Sequence, residues 1–510
     1  MDVTKLKFKV QNFRNLKDVE IEIKPITLLF GKNGSGKSSF LKSYFFFHKN
    51  CIPYPMNAMS PEAPIKFYLN DNIHLGSFTE ICGLGKENKK SLILKFSFEA
   101  IVGKTTAQDH LEENDELEYK KFTEDNNRLL KINCEFEIKG RKDGSAFIKK
   151  VRIVDETDNS RFEFQPMSFD KTASDRYGAR TPKFKISFLD NNELDEIIKK
   201  VLMADNEVPE DGIPFSGFAE IKLENFKRYL KSNEKLHFNN VTVKKIEELI
   251  IKYYFEIPRV VKAIMEDIIY LPGIREVPKR AYILKNYEID NLIYGGIFND
   301  LRGGASADDK EFSGDLDGIP FHIVNGKTVN DKLNDLIKKL GFEGELSIIQ
   351  EDEYLKPQLK GKGSEKKYSL SESSSGLQQI IPILVKLLHY KEGTILIEQP
   401  ELHLHPKLQA ALAELFVDRV RKNKNAVIIE THSEHLIKKL QVLIARGELK
   451  QEDIAVYYFD SDSGEVNVKR MEMDERGLFI EDWPNGFFDD ATNLTLELFE
   501  ALKNSKKRKN

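Results

Sequence analysis

The sequence predicts an α/β fold: a mixed or parallel sheet with flanking helices, joined to an antiparallel β subdomain and carrying a helical insertion. Three observations predict it. From residue 370 onward, helical and strand patterns alternate in short segments, and such alternation builds a parallel sheet with helices packed on it. "ITLLF" (26–30) is a continuous apolar run, as a central strand buried on both faces requires. Between residues 92 and 190 runs such as "LILKFSF", "VRIV" and "KFKISFL" follow one another as a series of strands.

Taken in order, residues 6–23 read as two strands around "NFRNLKD", with alternating apolar positions. "ITLLF" leads into a glycine-rich turn and then "KSSFLKSYFFF" as a helix. The acidic stretch "DHLEENDELEYKKFTEDNN" is expected to be a solvated loop or arm. Residues 191–262 shift to helical patterning, with Pro258 as a kink or break and no sustained heptads. The last part reads as helix 374–389, strand 394–397, helix 406–422, strand 426–430, helix 434–446, then the strands "IAVYYF" and "EVNVKR". The expected divisions are therefore 1–190, 191–262, 263–495 and a basic tail, 496–510, ending "KKRKN".

At 510 residues the chain can hold two or three domains, or one large core with insertions. A net charge of −4 supplies no global basic field to attract nucleic acid, although a local patch still could. No run approaches the length of a membrane span, and the N-terminus alternates like a strand rather than a signal peptide. Cys51, Cys82 and Cys134 are odd in number and far apart. That fits a reducing cytosol and argues against a disulfide framework or a cysteine-rich zinc site. The expected setting is cytoplasmic, with no membrane partner.

Four motifs carry chemistry. The strongest is "GKNGSGKS", Gly31 to Ser38, between a buried strand and a helix. Gly31, Gly34 and Gly36 let the backbone fold around phosphates with its N–H groups inward. Lys37 reaches the β and γ phosphates, and Ser38 binds Mg²⁺ at a helix N-terminus. Asn33, Ser35 and Ser39 count with them as nucleotide-binding positions. By chance alone this pattern arises in roughly a few per cent of chains this long. The second motif is "ILIEQPE": Glu398 ends an apolar strand, where a carboxylate can hold Mg²⁺ through water. Alone it would be an ordinary acid at a strand end; beside a phosphate loop the functional reading wins. The third, "SLSESSSGLQQIIPIL", is a Ser-rich turn ending at Gly376 that opens an apolar helix. Its N–H groups form an anion site, with a plain N-cap as a serious rival. The fourth, "AVIIETHSEHLI", is a buried strand, then Thr431 and His432, then a helix that stops near Gly447.

This order resembles the ABC-type P-loop ATPase heads of the SMC and RecF group. "NFRNLKDVEIEIKPITLLFGKNGSGKSS" and "IEQPELHLHP" narrow the resemblance to ABC-like ATPases related to the OLD proteins, which include the ATPase subunits of anti-phage systems such as Septu and PARIS. "YLPGIREVPKR" and "WPNGFFDD" also look like motifs of one branch. The resemblance covers roughly 1–100 and 265–495. It implies ATP and Mg²⁺ as cofactors and a head-to-tail dimer, possibly in higher assemblies. Each ATP sits on Lys37 and Ser38 of one chain and is capped by Ser374 and Gly376 of the other. Glu398 falls on the Mg²⁺-associated acid, His432 on the switch histidine, and "HLHP" on the loop crossing the seam. Ser77 or Glu80 stands where the family carries a Mg²⁺-linked glutamine. Phe13 and Arg14 are weak candidates for adenine contact.

Over the acid-acid-proline pattern, Gln399 takes the second place. A glutamine orients water but cannot accept its proton. Three readings follow: slow turnover with ATP as a clamp, Glu401 as base, or His432 orienting water while substrate oxygens take the proton. Slow hydrolysis assisted by Glu401 is the expectation. A zinc site at His403, His405, His432 and His435 competes poorly, since each pair already has a place in the ATPase pattern. The Asp-x-Asp of "FDSDSGEV" matches a nuclease module of related chains, but only 75 residues follow His435, so a hairpin turn is preferred. Arg275, Lys279 and Arg280 form a basic cluster suited to DNA phosphates, to nucleotide, or to structural ion pairs. The favoured function is an ATPase that controls a separate effector protein, a nuclease, in anti-phage defence. The alternatives are a RecF- or SMC-like DNA-binding repair ATPase and a scaffold with structural nucleotide.

Overall fold

The computed structural model describes residues 2–51, 65–82, 91–102, 128–166, 183–187, 213–214, 252–283, 311–422, 425–483 and 497, with interruptions of up to three residues inside these ranges. The fold is mixed α/β and divides into two units. One comprises Met1–Lys24, Lys32–Ile268 and Phe459–Val468; the other comprises Pro25–Gly31, Ile269–Tyr458 and Lys469–Asn510.

In the first unit, two-residue alternation produces a sheet with one buried face. Along Leu92–Val102, Leu92, Leu94, Phe96 and Phe98 are buried while Lys95, Ser97 and Glu99 lie between them, only partly covered. The eight strands run in the order Ile213–Pro214, Lys183–Ser187, Ser160–Pro166, Ala146–Asp155, Arg128–Gly140, Leu92–Val102, Asp2–Phe13 and Leu16–Glu22, every neighbour antiparallel. The register sets Phe8 beside Phe96 and Phe96 beside Cys134, lining up one apolar face. Helix Lys37–Cys51 packs on that face. Tyr44 meets the Phe8 ring edge-on at 5.0 Å, and Phe47 meets Phe96 and Phe136 at 5.7 and 5.3 Å. The aromatic run of this helix is thus a set of core contacts for the antiparallel sheet.

The described part of the expected helical insertion is small. Lys252 is buried, with its ammonium 2.5 Å from Asp155 and 2.6 Å from Asp158. Helix Ile257–Met265 carries Pro258 in its first turn, where a missing N–H removes no helical bond, so the proline opens a helix here. Most of 191–262, the acidic stretch and the basic tail lie outside the described residues.

Most residues of a six-stranded sheet belong to the second unit; its order is Ile268–Leu271, Gly393–Glu398, Asn425–Glu430, Ile26–Gly31, Ile454–Asp460 and Asn467–Arg470. Gly393–Glu398 (the acid strand), Asn425–Glu430 (the histidine strand) and Ile26–Gly31 (the loop strand) pair in parallel. All six residues of the loop strand are buried, as its unbroken apolar run requires. Helices Pro406–Lys422 and Glu434–Ala445 flank the sheet and share its core through Leu412, Phe416, Leu436 and Leu440. The only tryptophan, Trp483, packs at 5.6 Å from Phe30 and 4.9 Å from Phe479. A smaller antiparallel sheet, Gly344–Glu351 with Tyr354–Gly361 and Lys367–Ser369, went unread in the sequence. Ile454–Asp460 and Asn467–Arg470 are sheet neighbours, and residues 462–464 of the Asp-x-Asp stretch between them lie outside the described residues. The helix expected over 374–389 runs Ser375–His389, with Gly376 in its first turn. Among the described residues no helix is long and apolar enough to cross a membrane.

Phe47→Ala removes an aromatic ring from the interior of the first unit. It is expected to cost about 3–5 kcal/mol, read as a lowered midpoint in denaturant, with the denaturant slope unchanged.

Candidate functional site

The glycine loop follows the buried end of the loop strand. Its geometry is one that side chains on the glycines would resist. Gly34 and Gly36 have φ of +77° and +101°, and a Cβ on Gly36 would stand 2.8 Å from Leu16 Cδ2. The Asn15 amide donates to the Gly34 carbonyl at 3.2 Å, tying the loop to the strand Leu16–Glu22 through its flanking turn. The helix starts at Lys37, and its first turn closes when Phe40 N–H donates to Gly36 O at 2.9 Å. Lys37 curls back over the loop, its ammonium donating to Lys32 O at 2.7 Å and to Ser35 Oγ at 3.4 Å. With 3% of its surface exposed, that cation is held inside the ring of backbone where a phosphate would lie. Ser35 is buried, Asn33 and Gly34 are exposed, and Ser38 and Ser39 are half-buried. A Cβ on Gly34 would meet nothing within 4 Å, so a ligand can approach the backbone there. The loop fits a nucleotide triphosphate.

Elsewhere in the first unit the weaker candidates separate. Phe13 is fully buried and packs on Phe46, which removes it as a ring for adenine. Arg14 is exposed, with its guanidinium 5.9 Å from the Phe13 ring. Ser77 N–H donates to the Glu80 carboxylate at 2.9 Å, and Ser77 Oγ lies 2.8 Å from Thr79 Oγ1. These bonds close the start of the short helix Phe78–Cys82.

In the second unit, the ends of three parallel strands come level. Glu398 pairs with Glu430, and Glu430 with Leu29, two residues before the loop strand ends at Gly31. This is the edge at which ligands bind in open parallel sheets. Both oxygens of the Glu398 carboxylate are held: Oε1 accepts from the Tyr270 hydroxyl and Oε2 from Gly273 N–H at 3.1 Å. The side chain is half-buried at the strand end, so Glu398 suits a water-bridged divalent cation.

Beyond Glu398 the chain turns sharply. Gln399 has φ of +42°, an uncommon left-handed conformation for a side chain of this size. Its N–H donates to Glu430 O at 2.7 Å. Arg275 holds the turn from the other side: Nη2 donates to Glu398 O at 2.7 Å and to Gln399 O at 3.4 Å. Arg275 is only 5% exposed, which disfavours the DNA-phosphate reading among the three and leaves a structural one. Its neighbour Arg280 does reach solvent, paired with Glu372 at 2.8 Å. Burial lowers the Arg275 pKa to about 10, opposed by the nearby carboxylates of Glu401 and Glu398.

Glu401, 9% exposed, accepts the main-chain N–H of His432 on Oε1 at 2.7 Å. Burial raises its pKa above the ordinary carboxylate range; the hydrogen bond and Arg275 work against that rise. Thr431 is buried and its N–H donates to Leu29 O at 3.1 Å, fixing the histidine strand to the loop strand at their ends. His432 is half-buried, and Ser433 caps the next helix through Leu436 N–H at 3.0 Å. His403, His405 and His435 are exposed, and among the described residues no three His, Cys, Asp or Glu side chains group to hold a metal.

At the signature, Ser374 and Ser375 are exposed at the helix tip, and the Ser374 carbonyl accepts Gln378 N–H at 3.1 Å. Gly376 has a packing reason that spacing did not show. A Cβ there would lie 2.8 Å from His403 O, in a residue whose own φ is +63°. The serine–glycine tip and the "HLHP" loop therefore touch backbone to backbone. Tyr270, Gly273 and Gln379 were missed. The first two lie in "YLPGIREVPKR", so the motif was visible while its role was not.

The family model described as an AAA ATPase domain matches residues 5–437, and one described as a protein of unknown function (DUF3696) matches 449–498. No curated protein matches the sequence. Among solved structures, the SMC head domain from Thermotoga maritima is 11% identical, with 93% of this chain and 100% of that chain covered at a TM-score of 0.32. The Smc head domain with an extended coiled coil bound to the C-terminal domain of ScpA, from Pyrococcus furiosus, is also 11% identical, with 97% and 99% covered at 0.34. The family match spans the glycine loop, the signature helix, Glu398 and His432, and on it the chain belongs to the AAA ATPase domain family.

Proposed function

We propose that this chain binds ATP with Mg²⁺, pairs head to tail around it, and hydrolyses it slowly to control a separate effector protein. The observation that supports this most is the level strand edge. The held carboxylate of Glu398 ends one parallel strand, and two strands away the chain enters the glycine loop. Gly31, Asn33, Gly34, Ser35, Gly36, Lys37, Ser38 and Ser39 would bind the triphosphate. Ser38 and Glu398 would hold the cation, Glu398 through water. When bound, Mg²⁺ neutralises charge on the transferring phosphoryl group. Ser374 and Gly376 would cap the nucleotide of the partner chain with helix N–H groups.

Slow turnover follows from Gln399. Its amide orients water and takes no proton. Glu401 is the nearest buried carboxyl to that turn in sequence, and its raised pKa makes it a better proton acceptor than an exposed carboxylate. His432 would contact the γ phosphate. ATP then acts chiefly as a clamp that holds the pair closed. The effector is proposed to be a nuclease of an anti-phage system.

Lys37→Ala is expected to weaken ATP binding about 100-fold or more, measured with a fluorescent analogue. Glu401→Gln is expected to lower turnover about 10-fold or more, while Gln399→Glu raises it. Unchanged turnover in both variants would falsify the assignment of the base. A scaffold with structural nucleotide predicts binding of ATP without any turnover, and a DNA clamp predicts turnover stimulated by duplex ends with no co-purifying protein.

The buried Glu401 also leaves a mark on stability. A carboxyl whose folded pKa is raised contributes stability that is present below its unfolded pKa and lost as pH rises through the folded value. The wild type should therefore lose stability relative to Glu401→Gln as pH climbs from about 4.5, and the difference should level off at higher pH. Parallel melting curves across pH 4–8 would count against a raised folded value.

A further inference from the structure

The segment 270–275 ties together two pieces of the second unit that serve different nucleotides in the proposed pair. Tyr270 and Gly273 N–H hold the Glu398 carboxylate, and the Arg275 guanidinium holds the Glu398 and Gln399 carbonyls at 2.7 and 3.4 Å. The same residue is clasped to the signature helix by a reciprocal amide pair. Arg275 N–H donates to Gln379 Oε1 at 3.2 Å, and Gln379 Nε2 donates back to Arg275 O at 3.2 Å. Gln379 lies three residues after Gly376, on the same side of the helix, whose tip packs against His403 O. Arg275 is 5% exposed, and its Nε and Nη1 have no hydrogen-bond partner among the described residues. A buried cation with spare donors is expensive to keep unless its placement does something that a smaller apolar residue could not.

We infer that Arg275 is a coupling and positioning residue: it makes the placement of Glu398 and Gln399 depend on the signature helix of the same chain. Capture of the partner's nucleotide at the Ser374–Gly376 tip sets that helix, the Gln379–Arg275 clasp carries the setting, and the acid turn serving this chain's own nucleotide follows. The two nucleotides of a pair are then hydrolysed in concert. This rests on the reading of the site given above.

The clasp joins main chain to one amide side chain away from the phosphate-binding loop in sequence, so breaking it should change kcat and leave KM almost alone. In the full-length protein, Gln379→Leu is expected to lower kcat about tenfold, change KM by less than about twofold, and turn a sigmoidal dependence on ATP into a hyperbolic one. Arg275→Lys, which keeps the main chain and one cationic donor, should retain several-fold more kcat than Arg275→Ala. Melting temperature and ATP-driven pairing, followed by light scattering, are measured on each variant. A Gln379→Leu protein that pairs with ATP and keeps wild-type kcat and cooperativity overturns the inference. So does a loss of kcat matched by an equal loss of melting temperature and of ATP binding, which marks a merely structural role. Wild-type protein that binds ATP and never pairs overturns instead the reading on which the clasp depends.

Discussion

A carboxylate at the end of a buried strand must be held or it will turn away, and the hold on Glu398 organises much of what surrounds it. Its acid strand is apolar and closed on both faces, so the side chain emerges into a partly dry setting where each oxygen needs a donor. Tyr270 and Gly273 supply those donors from a neighbouring strand end. Gly273 lies directly beside the acid: a Cβ there would make ordinary contact, 3.5 Å from Gln399 Oε1 and 3.7 Å from Glu398. A carboxylate fixed in this way can meet a cation without reorganising, which is the condition for electrostatic stabilisation of a charged phosphoryl group.

The turn after Glu398 stores strain, and the surrounding contacts balance it. Gln399 and His403 both adopt left-handed backbone within five residues, and each is pinned by main-chain neighbours: Gln399 by Glu430 and Arg275, His403 by contact with Gly376. Proline at 400, between them, limits the alternatives further. The loop is therefore stiff. In the proposed pair, such a loop would let the Gln399 amide hold a water and would set the height at which the helix tip meets its partner.

Most of the sheet was legible because its strands obey simple rules. "ITLLF" and "ILIE" are short apolar runs bounded by glycine or acid, and the helix 406–422 was bounded by Pro406 at its start. The glycine loop was legible because its spacing has one mechanical use. What could not be read was anything that depends on pairing across long sequence distances. Arg275 stands beside Lys279 and Arg280 in sequence and so looked like part of a surface cluster; only the fold turns it inward, 123 residues from the carbonyl it binds. The reason for Gly376 is similar, since its constraint comes from a carbonyl 27 residues later. Phe13 looked available beside the exposed Arg14 because strand alternation does not say which face is covered. The small antiparallel sheet around Tyr354–Gly361 was missed because that strand carries a proline and two lysines among its leucines, which reads as loop.

In the proposed function, Glu398 and the serine after Lys37 would share one divalent cation over the same triphosphate. Mn²⁺ can replace Mg²⁺ and be counted by electron paramagnetic resonance in the presence of ATP. The expected result is that Ser38→Ala and Glu398→Gln each weaken nucleotide-dependent Mn²⁺ binding about tenfold or more, with metal-free ATP binding unchanged. Wild-type Mn²⁺ affinity in both variants would contradict it.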